Sequence, residues 1–517
     1  MRLSLLRYWK AILLGAVCAG STAWAEVKLP TAFADNMVLQ REMKIPVWGT
    51  ADPGEQVTIT LDDQRASTTA DAEGRWKTEI GPVLSGGPYE MTVAGKNSLR
   101  FRNVAVGEVW ICSGQSNMEM AVGNSMKAWG GVRNAREEMA AGNYPSIRHF
   151  AIKKAVAGKP QTDVEGQWVV ATPETVGEFT AVGYFFGRDI HKALGVPVGL
   201  IHTSWGGTPA EAWTRAPALT ADPALASIVS DWDKKLADYP GALEKYQQQL
   251  SDWNQAAQKA EADGKAAPEQ PKPPDNPYGN PWRAAGLYNA MIAPLIPYGI
   301  RGAIWYQGES NVGRAEQYRK LFPAMIQDWR RTWGQGDFPF LFVQIASFEN
   351  PWGPKNKWPD LREAQLLTLT LPKTGMAVAI DIGDQYDIHP RNKQDVGRRL
   401  ALAAQAIAYG KDLVYSGPIF ESMQVQDNKA RLRFRHARGG LVALDGKLRG
   451  FEIAGEDRQF VPAQAKTDGE TVVVTNEKVE HPVAVRYAWA DYPECNLYNK
   501  AGLPASPFRT DDWEEKK

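Results

Sequence analysis

The sequence predicts an α/β protein in which a parallel sheet is covered by helices on both faces and flanked by β-rich domains. From Val104 to about Ala408, short apolar runs alternate with stretches of helical periodicity, which is the pattern of strand–helix–strand units. Before and after this region, short runs of alternating polarity are separated by turn residues. The 517 residues, 44% of them hydrophobic, suit two to four domains that each bury a core.

The charge balance argues against two classes of partner. Lys plus Arg and Asp plus Glu both number 59, and no basic stripe or acidic tail is present. We therefore expect neither nucleic acid nor a membrane surface as partner. The 19 tryptophans suit the binding of sugar faces as well as an ordinary core. No cluster of Cys and His has the spacing of metal ligands, so no metal is expected.

The first 25 residues have the pattern of a cleavable export signal. Cations at positions 2, 7 and 10 precede an apolar run over residues 11–19, and Ala23-Trp24-Ala25 forms a small-x-small cleavage site. The apolar run is too short to span a bilayer. We predict a periplasmic or secreted protein that begins at Glu26, and the alternative is an uncleaved anchor.

Residues 26–103 are predicted to form an N-terminal β-sandwich. Ile45–Gly49, Val57–Leu61 and Tyr89–Val93 are short strand-like runs with turn residues between them and no helical period. No group of chemically reactive residues stands out in this region.

Residues 104–410 are predicted to form the α/β domain. The expected strands are Val104–Ile111, Val198–Thr203, Ala303–Tyr306, Phe340–Ile345 and Met376–Ile380, and the expected helices are Val182–Leu194, Glu316–Trp333 and Gln394–Tyr409. Ligands of such sheets bind at the carboxyl ends of the strands. The loops after these strands are therefore where a site is expected.

Two further segments follow different patterns. Residues 217–281 are helical and polar and then Pro-rich, which predicts an insertion that is either a lid or a helical hairpin without a role in function. Residues 411–517 return to short alternating runs, which predict a second β-rich region or strands that complete the first.

The mature chain keeps two cysteines, Cys112 and Cys495. They could pair in an oxidising compartment, but their separation matches no disulfide framework. Cys112 lies in a predicted buried strand, so a packed free thiol is an equal alternative.

The stretch Gly114-Gln115-Ser116-Asn117-Met118 lies between a predicted strand and a short helix. A serine at such a junction is surrounded by backbone N–H groups without intrahelical partners, which favour the negative charge of an oxyanion. The alternative for a single Gly-x-Ser is a helix N-cap. Ser116 is therefore a candidate nucleophile if a base lies near it.

His389 is the candidate base among six histidines. It follows the strand at Met376–Ile380 and would lie on the same sheet edge as Ser116. Asp387 is the nearest carboxylate that could orient its imidazole, and Asp384 is the runner-up. The alternative is a polar loop in which the aspartates accept from backbone donors.

Two more loops follow predicted strands and offer donors for an oxyanion. Gly206 and Gly207 follow the strand that ends at Thr203, and a glycine N–H there could donate. Asn311 follows the Ala303 strand and could add an amide donor, a contribution of ~3 kcal/mol in known cases. Four such loops on one sheet edge, in the order Ser, Gly, Asn, His, indicate acyl transfer.

In this combination of motifs the chain resembles the SGNH hydrolases, and it is most similar to the sialate O-acetylesterase family of carbohydrate acetylesterases. The matching stretches are Gly114–Met118, Trp205–Thr208, Gln307–Asn311, Ile388–Pro390 and, in the tail, Asn496–Asn499 with Gly502–Pro504. The resemblance implies a flavodoxin-like three-layer α/β/α domain. It also implies Ser116 as nucleophile, His389 as base, and an oxyanion hole made by Ser116, Gly206 or Gly207, and Asn311.

The resemblance implies a serine esterase that removes O-acetyl groups from carbohydrates without a cofactor. O-acetyl sialic acid is the implied substrate, and acetylated hemicellulose (xylan or xyloglucan) is the alternative. Gln115, Gln307 and Glu309 are candidates for binding the sugar. One position departs from the family pattern, because many SGNH hydrolases place the acid three residues before the histidine, where this chain has Tyr386.

Two alternatives from other classes stay open at this point. One is a non-catalytic carbohydrate-binding protein with flanking β-domains. The other is a glycoside hydrolase that uses a carboxylate pair such as Glu309 and Asp384.

Overall fold

The computed structural model describes residues 26–123, 130–349, 351 and 357–513. The export signal expected over residues 1–25 lies outside the described residues. None of the helices described is both long enough and apolar enough to cross a membrane. The described chain forms a β-rich start, an α/β centre and a β-rich end, which confirms the predicted fold class.

The chain starts with six short strands. They are β1 (Val38–Gln40), β2 (Ile45–Thr50), β3 (Gln56–Leu61), β4 (Gln64–Thr69), β5 (Arg75–Ile80) and β6 (Gly86–Ala94). β2 pairs with β5, and β3 pairs with β4 and β6, all antiparallel. Val57, Ile59 and Leu61 alternate along β3 and are fully buried, as expected for strands with one face on a core.

The next strand, β7 (Ser98–Gly114), joins the N-terminal strands to the central sheet. Its first half pairs antiparallel with β6, and its second half lies in the middle of the parallel sheet. β7 therefore runs without interruption through residues 103 and 104, where the change in sequence pattern falls. The strand carries the chain directly from the N-terminal strands to the turn that holds Ser116.

The central sheet contains β7 and six further strands. They are β8 (Tyr144–Ile152), β9 (Gly166–Ala171), β10 (Val198–His202), β11 (Gly302–Tyr306), β12 (Phe340–Gln344) and β13 (Thr374–Val378). The order is β13-β12-β11-β7-β10-β8-β9, and all neighbours are parallel except β9, which is antiparallel to β8. The five strands predicted for this domain are all present. Their carboxyl ends form one edge of the sheet.

Helices cover both faces of this sheet. The described helices are α1 (Ser116–Glu119), α2 (Ala135–Ala140), α3 (Ala181–Leu194), α4 (Ala216–Thr220), α5 (Pro223–Ala262), α6 (Ala315–Trp333), α7 (Trp358–Leu367) and α8 (Lys393–Ile407). On one face Trp110 of β7 packs edge-on against Phe186 of α3, with ring centroids 4.9 Å apart. On the other face Trp305 of β11 packs against Trp329 of α6 at 6.0 Å. These contacts give the three-layer α/β/α arrangement that the sequence predicts.

The segment 217–281 contains the 40-residue helix α5, followed by an extended Pro-rich stretch. Most of α5 is exposed, and only Leu225 and Ile228 near its start are buried. The helical and Pro-rich parts expected here are both present. No residue of this segment lines the pocket around Ser116 that is described below, and a role as a lid stays a prediction.

The C-terminal region forms sheets of its own. Its strands are β14 (Ile419–Gln426), β15 (Lys429–Arg435), β16 (Leu441–Ala443), β17 (Phe451–Ala454), β18 (Val461–Pro462), β19 (Gln464–Asp468), β20 (Thr471–Thr475), β21 (Ala484–Tyr487), β22 (Leu497–Asn499) and β23 (Phe508–Arg509). They form the sheets β14-β15-β20-β19 and β18-β17-β21-β23 and the pair β16-β22. This is a second β-rich region, because none of these strands extends the N-terminal sheets.

Candidate active site

A tight turn at the end of β7 presents Ser116. Gly114 has a φ of +137°, and a Cβ at this position would lie 2.1 Å from the carbonyl oxygen of Tyr306, so only glycine fits there. The N–H of Gln115 donates to that same carbonyl at 2.9 Å, which ties the turn to β11. Ser116 is then the first residue of α1 and is 7% exposed.

The loop after β13 presents His389. Asp381 near its start forms an ion pair with Arg399 of α8, with both pairs of atoms 2.7 Å apart. Asp384 accepts from the N–H groups of Tyr386 and Asp387 at 2.9 and 3.1 Å, which closes a turn. Asp381 and Asp384 therefore stabilise the conformation of this loop.

Ser116 and His389 line one pocket of about 560 Å³ at the carboxyl edge of the sheet. The other lining residues are Gln115, Glu119, Lys154, Trp205, Gly206, Gly207, Glu309, Ser310 and Ile388. The structure thus brings together loops that follow β7, β10, β11 and β13. Asp384 does not line the pocket, so the pair Glu309 and Asp384 gives no support to a glycoside hydrolase.

Asp387 is the carboxylate that faces the His389 imidazole. Its Oδ1 lies 3.5 Å from Nδ1 of His389 and accepts from the His389 backbone N–H at 2.8 Å. Burial, reinforced by the ammonium of Lys393, lowers the pKa of His389 to about 4. The imidazole is therefore neutral above about pH 4, which is the state that a general base requires.

The backbone donors near Ser116 differ in their availability. The Gly206 N–H donates to Oε2 of Glu119 at 2.5 Å. Among the described residues, no backbone acceptor is found for the N–H of Ser116 or Gly207. Gly207 has a φ of +75° and open space where a Cβ would stand. Ser116 and Gly207 are therefore the backbone groups that remain open to a ligand.

Asn311 does not line the pocket, and both atoms of its side-chain amide form hydrogen bonds elsewhere. Its Nδ2 donates to Glu211 at 3.0 Å, and its Oδ1 accepts from the N–H of Ala210 and from Nε2 of Gln307. Gln307 is completely buried and accepts from the Tyr318 hydroxyl at 3.0 Å. These side chains bind the loop after β10 to the loop after β11, which is a structural role.

Gln115 occupies the position that the sequence analysis expected for Asn311, because its side-chain amide lines the pocket and can donate to a ligand. Its Oε1 accepts from the N–H groups of Gly308 and Ser310 at 3.2 and 3.3 Å, which fixes the orientation of the amide. Its Nε2 has no acceptor among the described residues, and Gln115 lines the pocket beside Ser116. An amide donor therefore stands at this pocket, next to the serine in the chain.

Comparison with known proteins places this arrangement in one family. The family model described as "Carbohydrate esterase, sialic acid-specific acetylesterase" matches residues 278–406. Sialate O-acetylesterase of Pongo abelii is 32% identical over 92% of this chain and 90% of its own length, and the Homo sapiens protein of that name is 31% identical over the same shares.

The chain belongs to the sialate O-acetylesterase family. A crystal structure of a carbohydrate acetylesterase from Xanthomonas citri is also similar, with 39% identity, a TM-score of 0.80, and coverage of 94% of this chain and all of that one. Family membership agrees with the arrangement of serine and histidine loops on one sheet edge.

The loops of the pocket are joined by Glu309, which lines it, and by the buried residues Asn117 and Lys393 behind it. The sequence did not indicate a role for Asn117 or Lys393. Nδ2 of Asn117 donates to Glu309 at 2.7 Å and to the carbonyl of Ile388 at 3.0 Å, and its Oδ1 accepts from Nζ of Lys393 at 2.6 Å. Lys393 also donates to the Pro390 carbonyl at 2.7 Å. This polar network connects the Ser116 turn to the His389 loop.

The charges of this network are shifted by burial. Lys393 is fully buried, and burial lowers its pKa to about 7. Burial raises the pKa of Glu309, whose Oε2 is buried and has no hydrogen-bond partner among the residues that the structure describes. A lysine at the first position of an amphipathic helix gives no sequence signal of burial, which is why Lys393 was missed.

Glu119 and Lys154 form a second support that the sequence did not reveal. Glu119 is 5% exposed, holds the Gly206 N–H, and accepts from Nζ of Lys154 at 2.5 Å. Lys154 also lies over the ring of Trp205, 5.3 Å from its centroid. The sequence spacing could have indicated this role, because Glu119 follows Ser116 by three residues on α1 and side chains at this spacing lie on the same face of a helix.

Other reactive groups do not line this pocket. Nε2 of His202 and Oγ of Ser204 lie 2.5 Å apart, but neither residue lines the pocket, and desolvation lowers the pKa of His202 to about 3. Cys112 and Cys495 are both free thiols. Among the described residues, no group of three or more His, Cys, Asp or Glu side chains could hold a metal ion.

Proposed function

We propose that this protein is an exported serine esterase that removes O-acetyl groups from sialic acids. The observation that supports it best is that Ser116 and His389 line one pocket with open donors beside them. The curated relatives are sialate O-acetylesterases, and the similar crystal structure is that of a carbohydrate acetylesterase. Ester hydrolysis needs no electron sink, so these side chains suffice for the chemistry.

In the proposed mechanism, Ser116 attacks the acetyl carbonyl while His389 removes the proton from its hydroxyl. His389 then gives this proton to the sugar oxygen that leaves. A water molecule, activated by the same imidazole, hydrolyses the acetyl-serine and releases acetate. Asp387 holds the imidazole by its Nδ1 side and stabilises the imidazolium that forms, so we propose it as the third member of the triad.

The oxyanion of the tetrahedral intermediate is proposed to bind the N–H groups of Ser116 and Gly207 and the amide Nε2 of Gln115. These three donors line the pocket and have no protein acceptor among the described residues. Gln115 replaces Asn311 in this proposal, because the Asn311 amide donates to Glu211. The Gly206 N–H donates to Glu119, so we propose that Gly206 stabilises the loop after β10 and does not bind the oxyanion.

The sugar is proposed to lie over Trp205, which is partly exposed at the pocket. Oε1 of Glu309 accepts from Asn117 and its Oε2 is buried, so Glu309 is proposed to stabilise the loops of the pocket instead of binding the sugar. Acetylated hemicellulose is the second substrate candidate, because a pocket that binds the acetyl group does not by itself select the sugar that leaves.

The export signal and the domain boundaries are part of the same proposal. Cleavage after Ala25 would release a chain that starts with the N-terminal β-sandwich at 26–103. The esterase domain at 104–410, with its insertion at 217–281, and the β-rich region at 411–517 follow. N-terminal sequencing of the protein from the periplasm or culture medium tests the cleavage site.

Hydrolysis of p-nitrophenyl acetate by the wild type and by Ser116→Ala tests the esterase proposal. We expect the substitution to lower kcat by roughly 10⁴-fold or more, as for removal of a nucleophile in known serine hydrolases. A serine-directed organophosphate should inactivate the wild type. Activity that survives both would overturn the role of Ser116.

The substrate is tested by measuring acetate release from O-acetylated mucin-type sialosides and from acetylated xylan or xyloglucan at equal ester concentration. A higher kcat/KM on the sialosides supports the proposal. A preference for the plant polysaccharides would assign hemicellulose instead.

A further inference from the structure

A second pocket, which shares no residue with the Ser116 pocket, is lined by aromatic and polar side chains. It has a volume of about 830 Å³ and lies between the N-terminal strands and the chain before β11. Its walls include Trp48 of β2, Trp76 of β5 and Trp333 at the end of α6. This volume falls in the range of about 300–1,000 Å³ that is typical of ligand sites.

The topology places this second pocket, which we call the tryptophan pocket, at the edge of the sheet opposite to Ser116. α6 follows the carboxyl end of β11 and returns the chain to the start of β12, so Trp333 at its last residue lies near the amino edge. Ser116 follows the carboxyl end of β7. A ligand in the tryptophan pocket is therefore separate from the reacting atoms.

The aromatic rings of the tryptophan pocket are held in place before any ligand binds. Nε1 of Trp333 donates to the carbonyl of Tyr298 at 2.8 Å, and Trp48 packs edge-on against Phe33 at 4.9 Å. Gly49 pairs with Trp76 across the β2–β5 ladder, and a Cβ on Gly49 would lie 2.8 Å from the Trp76 ring. A preformed surface of this kind loses little conformational entropy when a ligand binds.

The polar side chains of the tryptophan pocket are nearly balanced in charge. The cations are Lys28, Arg75 and Lys77, and the anions are Asp71 and Asp163. Arg75 and Asp71 pair with each other at 3.1 Å. This balance disfavours a phosphate-rich ligand, which needs an excess of cations. The polar rim likewise disfavours a lipid.

One further polar group of the tryptophan pocket suits a ligand with hydroxyl groups. Gln161 is exposed, and its side-chain amide can donate and accept hydrogen bonds, as hydroxyl groups can.

We propose that the tryptophan pocket binds a carbohydrate chain at a point distant from the acetyl group that is removed. The C–H face of a pyranose ring matches the partly exposed Trp48, and its hydroxyl groups match the polar rim. The chemical class of this ligand rests on the proposed function. A second point of attachment raises the effective concentration of a polymeric substrate at Ser116.

Titration of the Ser116→Ala protein with xylotetraose and with 3′-sialyllactose, followed by calorimetry, tests the proposal. We expect at least one of the two to bind, and binding to weaken tenfold or more when Trp48→Ala is added. Gln161→Ala at the rim provides a second variant that does not disturb the aromatic core, and it should weaken binding in the same titration. Trp232→Ala on the exposed helix α5 is the matched control and should leave the affinity unchanged.

Absence of binding by both oligosaccharides would overturn the proposal. An affinity that both pocket variants leave unchanged would do the same, because it would assign the ligand to another site. Neither outcome bears on the esterase proposal, since p-nitrophenyl acetate hydrolysis by the wild type tests that chemistry without any sugar.

Discussion

The ammonium Nζ of Lys393 lies 2.6 Å from Oδ1 of Asn117, the residue that follows Ser116. The other side of the Asn117 amide donates to Glu309 and to the carbonyl of Ile388, which precedes His389. One buried amide thus connects three loops of the pocket. The relative position of Ser116 and His389 therefore depends on Lys393, a buried residue that does not line the pocket.

The low pKa of His389 predicts activity in mildly acidic solution. The imidazole must be neutral to act as a base, and its pKa is lowered from 6.5 to about 4 by burial and by Lys393. We expect the acid limb of kcat/KM for p-nitrophenyl acetate to have its midpoint near pH 4. A midpoint at about 6.5 would show that His389 is exposed to solvent in the working enzyme.

Replacement of Lys393 by methionine should move this acid limb to higher pH. The substitution removes a positive charge that disfavours the imidazolium, so the pKa of His389 rises. It also leaves Oδ1 of Asn117 without its donor, at a cost of about 1–3 kcal/mol in unfolding free energy. Lys411→Met, which removes a lysine bound to the Ala193 carbonyl, is the control and should not move the limb.

Replacement of Glu119 by glutamine should lower kcat by about 10- to 100-fold, because the charged acceptor of the Gly206 N–H is lost and the loop that carries Gly207 is less firmly held. The matched control is Glu165→Gln, which breaks an exposed ion pair with Lys153 and should have almost no effect. Equal kinetics for the two variants and the wild type would contradict the supporting role of Glu119.

Substitutions at Gln115 and Asn311 should separate catalysis from stability. Gln115→Ala removes a proposed oxyanion donor, so we expect kcat to fall about 10²- to 10³-fold with little change in KM. Asn311→Ala removes a buried amide with three polar partners, so we expect a loss of a few kcal/mol in denaturant unfolding. A large fall in kcat for a well-folded Asn311→Ala protein would restore Asn311 to the oxyanion hole.

The triad acid can be assigned by comparing Asp387→Asn with Asp384→Asn. Oδ1 of Asp387 lies 3.5 Å from Nδ1 of His389, whereas Asp384 accepts from the backbone N–H groups of Tyr386 and Asp387. We expect Asp387→Asn to lower kcat more strongly than Asp384→Asn. The reverse order would identify Asp384 as the residue that orients the imidazole.

The sequence alone predicted the fold class, the strands of the central sheet and the loops that form the pocket. A short apolar run such as Phe340–Gln344 that alternates with amphipathic helices predicts a strand of a parallel sheet, because helices cover both faces of such a strand and all of its side chains are buried. Ser116 and His389 were predicted to lie together for the same reason. Loops that follow parallel strands meet at one edge of the sheet however far apart they lie in the chain.

Only the tertiary structure decided which polar groups face the pocket and which are used to build it. Asn311 and Gln115 both follow strands and carry the same amide group, so no local pattern separates them. The difference arises because Glu211, 100 residues before Asn311 in the sequence, accepts from its Nδ2. The side-chain oxygen of Gln115 instead accepts from the N–H groups of Gly308 and Ser310. Hydrogen-bond partners depend on packing between distant segments, whereas the strands themselves depend on local periodicity.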